Sequence, residues 1–285
     1  MVVEPVIRLE QGTIHKPNGA EPILRHLEWT IRRGEWVGIV GRNGSGKSTL
    51  LRVLAGLEPL ASGRLHLDEG IGTVRLVMQH PDAQLLGETV WEDVCWGLKW
   101  SNVPPDEADK RAASALERVG LLALRNRPIA SLSGGQKQLL AIAGQLALQP
   151  GVLAADEVTS MLDPESRRMV LELLAELKRD GGTILMSTHR LEELAFVDKV
   201  IALHEGTIGF EGKPADFFYG ADNGSSGFCE QMGFLPPLAV RLYREWLEGR
   251  LAVEVPAGRM SVARHARPLS IKDWIREAMG IGAGG

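Results

Sequence analysis

Cysteine is nearly absent: the 285 residues include only Cys95 and Cys229. Two thiols make no disulfide framework, and their scarcity fits a chain kept in a reducing compartment. A basic excess is missing as well. Lys and Arg number 32 against 36 Asp and Glu, a formal net charge of -4, which argues against nucleic acid as a partner. No run approaches the about 18 consecutive apolar residues of a membrane-spanning helix. LLAIAGQLAL at 139–148 falls far short, so any membrane crossing must come from a partner. Met1 is followed by VVEPVIRLEQ, with neither a basic start nor an apolar stretch, so no signal peptide is expected. Internal repeats and low-complexity blocks are absent too.

What the chain has is an ordinary globular composition, 44% hydrophobic and 24% charged, enough for one large domain or a domain with an appendage. Strand-like apolar runs alternate with capped helical patterns, the signature of an α/β fold on a largely parallel sheet. WVGIV (36–40), IGTVRLVM (71–78), GVLAAD (151–156) and GTILMST (182–188) read as strands. A helix should run from Lys47 to near Gly56. Thr89-x-x-Glu92 and Ser133-x-x-Gln136 are capping boxes, so helices should open at both. Another helix follows Pro104-Pro105 and ends at Gly120. Asp163-Pro164 gives an N-cap with Pro at the first helical position, and that helix should stop at Gly181-Gly182.

Between strand and helix lies QHPDAQLLGETVWEDVCWG (79–97). Val90, Val94 and Leu98 recur every four residues and should face the core, with Trp91 and Cys95 on an adjacent stripe and Trp96 pointing elsewhere. For Trp91, Trp96 and Trp100 the plain expectation is core packing. Composition shifts at YGADNGSSG (219–227), a linker composition, which suggests units at 1–220 and 221–285. In the second unit LAVRLYREWL (238–247) places Leu238, Leu242 and Trp246 on one face. Ser270 caps a last helix, and the closing GIGAGG reads as disordered.

GRNGSGKST (41–49) matches G-x-x-x-x-G-K-[ST], in the strand–loop–helix context that a phosphate-binding loop requires. Gly41, Gly44 and Gly46, with Asn43 and Ser45 between them, let backbone N–H groups curl around phosphate oxygens, and the helix N-terminus adds its dipole. Lys47 reaches the β- and γ-phosphates, Ser48 ligates Mg²⁺, and Thr49 closes the motif. VLAADE (152–157) supplies an apolar strand ending in Asp156, as a Mg²⁺-holding carboxylate needs, and Glu157 can polarise an attacking water. Alone, an Asp-Glu after a strand more often caps a helix; downstream of a phosphate loop the balance reverses. ASLSGGQKQ (130–138) puts Ser133, Gly134, Gly135 and Gln136 at a helix N-terminus, which suits an anion or simply a capped helix. Gln79 and His189, each at a strand end, carry no message singly.

The order GRNGSGKST, Gln79, LSGGQ, VLAADE, SMLD (160–163) and His189 closely resembles the ATP-binding subunit of ABC transporters, over roughly residues 5–215. LSGGQ is the most specific element. The resemblance implies a P-loop NTPase fold with a mostly parallel core sheet, an antiparallel β subdomain, a helical subdomain carrying LSGGQ and a small C-terminal appendage. It implies ATP and Mg²⁺, and a head-to-tail pair with a second ABC ATPase subunit sandwiching two ATP molecules. In such a pair Ser133, Gly134 and Gly135 meet the γ-phosphate held in the other subunit's loop, with Gln136 in the same nucleotide-binding motif. Gln79 touches Mg²⁺ and the attacking water, Glu157 is the general base, His189 holds the γ-phosphate and Asp163 couples the two sites. Val158 stands where the family usually has Pro, and Met161 replaces a small residue; neither change removes a catalytic group. The position that stacks on adenine aligns with Lys16, whose ammonium can lie over a ring, with His15 as an alternative.

The 79–97 stretch resembles QNPDDQ…TV.EDVAFG of the energy-coupling factor and cobalt-nickel importer ATPases, with His80 and Ala83 as departures. This implies a groove for coupling helices of a transmembrane T component, a substrate-capture membrane subunit, and a peripheral location on the cytoplasmic face of the cell membrane. GFLPPLAVRL (233–242) resembles an appendage that in this group helps to join the two ATPases. The implied function is ATP hydrolysis driving import of vitamins or transition-metal ions. A conventional binding-protein-dependent importer ATPase shares every catalytic motif. A soluble ABC ATPase acting on nucleic acid would carry a long coiled-coil insertion before LSGGQ, and none is present. The residues leave open whether the pair is homo- or heterodimeric.

Overall fold

The structure, a computed structural model, describes residues 4–15, 19, 21–220, 227–248 and 250. The expected helix at Ser270 and the closing GIGAGG lie outside the described residues, as does the linker segment 221–226.

Two long strands open the chain, β1 (Pro5–His15) and β2 (Pro22–Arg32), followed by β3 (Trp36–Gly41), which is buried throughout. Next come α1 (Lys47–Leu54), β4 (Ser62–Leu67) and β5 (Val74–Val77). Three helices follow: α2 (Val90–Trp100), α3 (Pro105–Arg118) and α4 (Gly134–Ala147). The chain continues through β6 (Val152–Asp156), α5 (Pro164–Arg179), β7 (Thr183–Ser187), β8 (Lys199–His204) and β9 (Thr207–Gly212). Short helices α6 (Pro214–Tyr219) and α7 (Phe228–Gln231) precede α8 (Leu238–Leu247).

Both capping boxes close as expected. Thr89 accepts the Glu92 N–H while the Glu92 side chain accepts that of Thr89, and Ser133 and Gln136 do the same for α4. A capped start replaces orphaned amide groups with side-chain partners and typically contributes about 1 kcal/mol.

The strands form two sheets. β2-β1-β4 is a three-stranded antiparallel sheet, and β5-β6-β7-β3-β8-β9 is six-stranded, parallel except for β9. Alternation along each central strand divides the apolar residues between two cores. Val37, Ile39, Val152, Ala154, Leu185 and Ile201 face the antiparallel sheet and α1. Trp36, Val40, Leu153, Ala155, Ile184, Met186 and Val200 face the helical side, where α2 to α5 pack. The α/β expectation holds, and the parallel strands deliver their C-terminal ends to one edge, the place where such sheets hold ligands.

Val90, Val94 and Leu98 are buried in the helical-side core, and Trp91 and Cys95 flank it half-buried. Plain core packing fails for two tryptophans: Trp96, which the helical spacing turns away from the stripe, is 41% exposed and Trp100 65%. They stack edge-on instead, ring centroids 5.5 Å apart, because their positions fall on the far side of α2 from the Val90–Leu98 stripe. On α8 Trp246 is buried and Leu242 packs against the core. Leu238 is 51% exposed, and Ala239, Val240, Tyr243 and Trp246 form the buried face. This packing follows from the C-terminal segment docking on the main body. Phe228 meets Phe210 at 4.9 Å between centroids, and the Arg244 guanidinium pairs with Glu230 at 2.6 Å and donates to the Phe218 carbonyl.

Candidate functional site

The phosphate loop leaves β3 and enters α1 through Gly46, whose φ of 97° is left-handed and whose added Cβ would stand 2.9 Å from Leu24. Only glycine fits both demands. No side chain caps α1, so the first-turn N–H groups are left for a ligand. The Ser45 hydroxyl is likewise buried without a protein partner. Asn43 to Thr49 line a cleft of about 300 Å³ together with Gln79, Glu157 and Ile23. A larger depression of about 490 Å³, between Arg118, Leu146 and Ile184, lies near the starts of β6 and β7 and holds none of the motif residues.

Lys47 is buried, 5% exposed, although it carries a charge. Its Nζ donates to the Gly41 carbonyl at 3.0 Å and pairs with Glu157 Oε1 at 3.6 Å. The second Glu157 oxygen, Oε2, stands 3.3 Å from His189 Nδ1. β6 and β7 are neighbours, so residues just past their ends converge on the loop that follows β3. Three residues that sequence reasoning selected separately therefore form one cluster.

Glu157 adopts φ 47°, a left-handed conformation that costs a non-glycine residue about 1–3 kcal/mol and persists only when its surroundings hold it. Its N–H donates to both the carbonyl (3.2 Å) and the Oγ (2.9 Å) of Ser187. Ser187 Oγ in turn donates to Asp156 Oδ1 at 2.6 Å. Ser187 went unnoticed in the sequence. A polar residue ending an otherwise apolar strand, TILMS, was the available signal.

Ser48, Asp156 and Gln79 offer a hydroxyl, a carboxylate and an amide oxygen. Among the described residues no cluster of three His, Cys, Asp or Glu side chains is present. A cation here must take its remaining ligands from phosphate and water, which suits Mg²⁺. Gln79 lines the cleft and donates to Ser160 Oγ at 3.3 Å. The segment around it is tied to α4, since Gln138 donates to the Met78 carbonyl at 3.3 Å and Lys137 pairs with Asp82 at 2.7 Å.

The signature residues stand elsewhere. Ser133 and Gly134 are exposed, Gly135 is buried, and Gln136 is occupied in the capping box; none lines the cleft. Asp163 caps α5, its Oδ1 accepting the Glu165 and Ser166 N–H groups at 3.0 Å each. The Ser166 N–H and then the Ser166 hydroxyl hold the Asp163 carboxyl below its ordinary range. His15 is exposed at the end of β1, and Lys16 lies outside the described residues. Ile23, which the sequence did not single out, gives the cleft an apolar wall.

Comparison with known proteins settles the family. The sequence matches the ABC transporter family over residues 24–160. It is 39% identical over 228 residues to the energy-coupling factor transporter ATP-binding protein EcfA of Enterococcus faecium, covering 76% of this chain and 82% of that one. The EcfA of Methanosarcina acetivorans is 40% identical over 249 residues, 83% of this chain and 88% of the relative. The chain belongs to the ABC transporter ATP-binding proteins, in their energy-coupling factor group. Among solved structures, cbiO1 from Clostridium perfringens, part of the ABC transporter complex cbiONQ, superposes with a TM-score of 0.68 at 33% identity, covering 75% of this chain and 91% of that one. The dimeric ATP-binding cassette MJ0796 bound to ADP and phosphate gives 0.64 at 28% identity, covering 73% and 98%. The chain is thus an ABC-type ATP hydrolase, the ATP-binding subunit of an energy-coupling factor transporter. No described helix is long and apolar enough to cross a membrane.

Proposed function

We propose that this subunit binds MgATP at the Lys47–Glu157–His189 cluster and hydrolyses it to drive import of a vitamin or a transition-metal ion through separate membrane subunits. The convergence of these three side chains on a glycine loop is the observation that carries the reading. Lys47 and the α1 amides would hold the β- and γ-phosphates. Glu157 would take a proton from the water attacking the γ-phosphorus, with Gln79 orienting that water and His189 steadying the γ-phosphate. Ser48, Asp156 and Gln79 would hold Mg²⁺, which neutralises charge on the phosphates.

Ser133, Gly134, Gly135 and Gln136 stand away from their own chain's cleft, which supports a role on the nucleotide of a second ABC ATPase subunit arranged head-to-tail. Asp163, already fixed as a cap, would lie near that junction and couple the sites. The C-terminal extension from residue 221 would help to join the pair, and Lys16 would contact the adenine. We place the protein peripherally, on the cytoplasmic face of the membrane, where a T component and a substrate-capture subunit complete the importer.

The groove for the T component would run beside α2. A depression of about 370 Å³ there is lined by Leu85, Leu86, Asp93, Trp96 and Trp100, among others. Gln84, at its edge, is committed inward: its amide accepts the Met78 N–H at 2.7 Å and donates to the Leu76 carbonyl at 2.8 Å. Leu86, Trp96 and Trp100 are the exposed apolar anchors that a partner helix needs. The deciding experiment is turnover by Glu157→Gln in the assembled complex. Binding of ATP should persist while hydrolysis falls by about 10²–10⁴; near-normal turnover would remove Glu157 from its role.

A further inference from the structure

Glu193 is a charged residue buried to 3% exposure on the 3-10 turn Leu191–Ala195, and it lines no part of the nucleotide cleft. Both of its carboxylate oxygens are used. Oε1 accepts the Thr159 hydroxyl at 2.7 Å and Oε2 accepts the Thr188 hydroxyl at 2.6 Å. Both threonines are themselves buried. A buried carboxyl group that loses its hydrogen-bond donors is costly. The two arms are therefore firm.

Their placement gives them meaning. Thr159 follows Glu157 by two residues, and Thr188 immediately precedes His189. Thr188 Oγ1 also accepts the Arg190 N–H at 2.9 Å, which fixes the chain on both sides of His189. Ser160, next to Thr159, receives the Gln79 amide at 3.3 Å. One buried carboxyl group thus clasps the segment leaving β6 to the segment leaving β7, and Glu157, His189 and Gln79 project from these segments or touch them. Glu157 itself sits in a left-handed conformation that needs external support.

We propose that Glu193 is a positioning residue for ATP hydrolysis, holding Glu157 and His189 in register through Thr159 and Thr188. This rests on the assignment of Glu157 and His189 to the reaction. Displacing a reacting group by about 1 Å costs on the order of 10²-fold in rate, while phosphate binding by the loop at α1 does not depend on the clasp. Loss of Glu193 should therefore fall on kcat and spare nucleotide affinity.

The test measures ATPase activity in the assembled transporter, with nucleotide affinity and melting temperature measured on the same full-length variants. Glu193→Ala should lower kcat by about 10- to 100-fold while KM and nucleotide Kd change less than about threefold. Glu193→Gln should recover part of the loss, because a carboxamide still accepts one hydroxyl and can donate to the other. In a Glu157→Gln background, Glu193→Ala should add little, since residues acting through one another are not additive. Undiminished kcat with a lowered melting temperature would make Glu193 a structural brace only. A fully additive loss in the double variant would likewise overturn the proposal. Should Glu193→Ala not fold, the near-isosteric Thr159→Val cuts one arm alone: reduced kcat is expected, and unchanged kcat overturns the clasp. Normal turnover by Glu157→Gln alone is a separate outcome, which removes the underlying assignment instead.

Discussion

Asp93 and Gly87 are in backbone-level contact: Asp93 Oδ1 accepts the Gly87 N–H at 3.0 Å, and a Cβ on Gly87 would stand 2.4 Å from the Asp93 nitrogen. The same oxygen accepts the Leu86 N–H at 2.7 Å. Burial pushes the Asp93 carboxyl up, and the Gly87 and Leu86 amides only partly oppose it. One side chain therefore folds the loop that carries Leu86 onto the first turn of α2, and only a glycine lets the loop come so close.

Gly87→Ala should accordingly displace this loop from α2, since the clash is with backbone and cannot be relieved by a rotamer. The loop forms no part of the nucleotide cleft. ATP affinity of the isolated protein should stay within about twofold of wild type, while recovery of the complex with its membrane subunits falls, as for other displaced docking loops. Affinity purification from detergent-solubilised membranes reads the second quantity. Full recovery of the complex would mean that the loop plays no part in docking.

Ser187 leads to a prediction about the metal. Its hydroxyl orients Asp156 and supports the Glu157 N–H, so Ser187→Ala leaves the carboxylate in place without its donor. Removing a hydrogen bond behind a metal ligand typically costs about 10- to 100-fold in metal affinity or activity. The Mg²⁺ concentration giving half-maximal ATPase activity should rise by at least the lower figure. A Mg²⁺ titration that superposes on wild type would show that Asp156 needs no such support.

Much of this was legible in the sequence, because the relevant signals are local. Thr89-x-x-Glu92 and Ser133-x-x-Gln136 announce helix starts through chemistry that spans a single turn, and both boxes closed. The phosphate loop is a contiguous motif, and the strand ends at Asp156 and Ser187 follow from unbroken apolar runs. Tertiary facts escaped. The four-residue spacing already turns Trp96 away from the core stripe, but whether Trp100 lies inside depends on how α2 meets α3 and α4, and a tryptophan's hydrophobicity does not reveal that. The exposure of Leu238 escapes the sequence for a related reason. Tyr219, from outside α8, helps to choose that helix's buried face, its ring meeting Tyr243 at 5.6 Å between centroids. Glu193 gave no signal, because its two partners lie 34 and 5 residues away.

Cys229 gives the C-terminal segment a pH signature. Burial chiefly, with the charge of Glu230 adding and Arg244 opposing, pushes its thiol up to about 12. An unfolded thiol ionises near about 8.5. Below that value both states are protonated and Cys229 imposes no pH dependence. As pH rises from there toward 12, the unfolded state loses its proton first, so stability must fall. Measured against Cys229→Ala, which cancels the other titrating groups, the wild-type chain should lose stability progressively as pH rises from about 8.5, the free thiol's value, toward about 12. Denaturant midpoints at several pH values check this. Parallel curves for the two proteins would show that the thiol is not shielded.

The two faces of α2 separate folding from docking. Leu98 is fully buried among α2, α3 and α4, and Leu98→Ala should cost about 2–5 kcal/mol through lost burial and a residual cavity. The melting temperature should drop, and complex recovery should fall only in proportion to the folded protein. Trp96 and Trp100 are neighbours on the opposite face, with the Lys99 ammonium 5.8 Å from the Trp96 ring. Replacing both by Ser forfeits an edge-on pair worth about 0.5–1.5 kcal/mol and rings that are 41% and 65% exposed, so the melting temperature should fall less than for Leu98→Ala. If these rings anchor a helix of the membrane subunit, their loss should instead remove most of the recoverable complex, because aromatic anchors dominate such interfaces. ATP hydrolysis by the detached protein should be unaffected, since neither ring reaches the cleft. The comparison uses one helix, two faces and three measurements: melting temperature, complex recovery and uncoupled ATPase rate. Undiminished recovery with both tryptophans gone would dissociate this face from docking and leave the partner to be sought elsewhere on the surface.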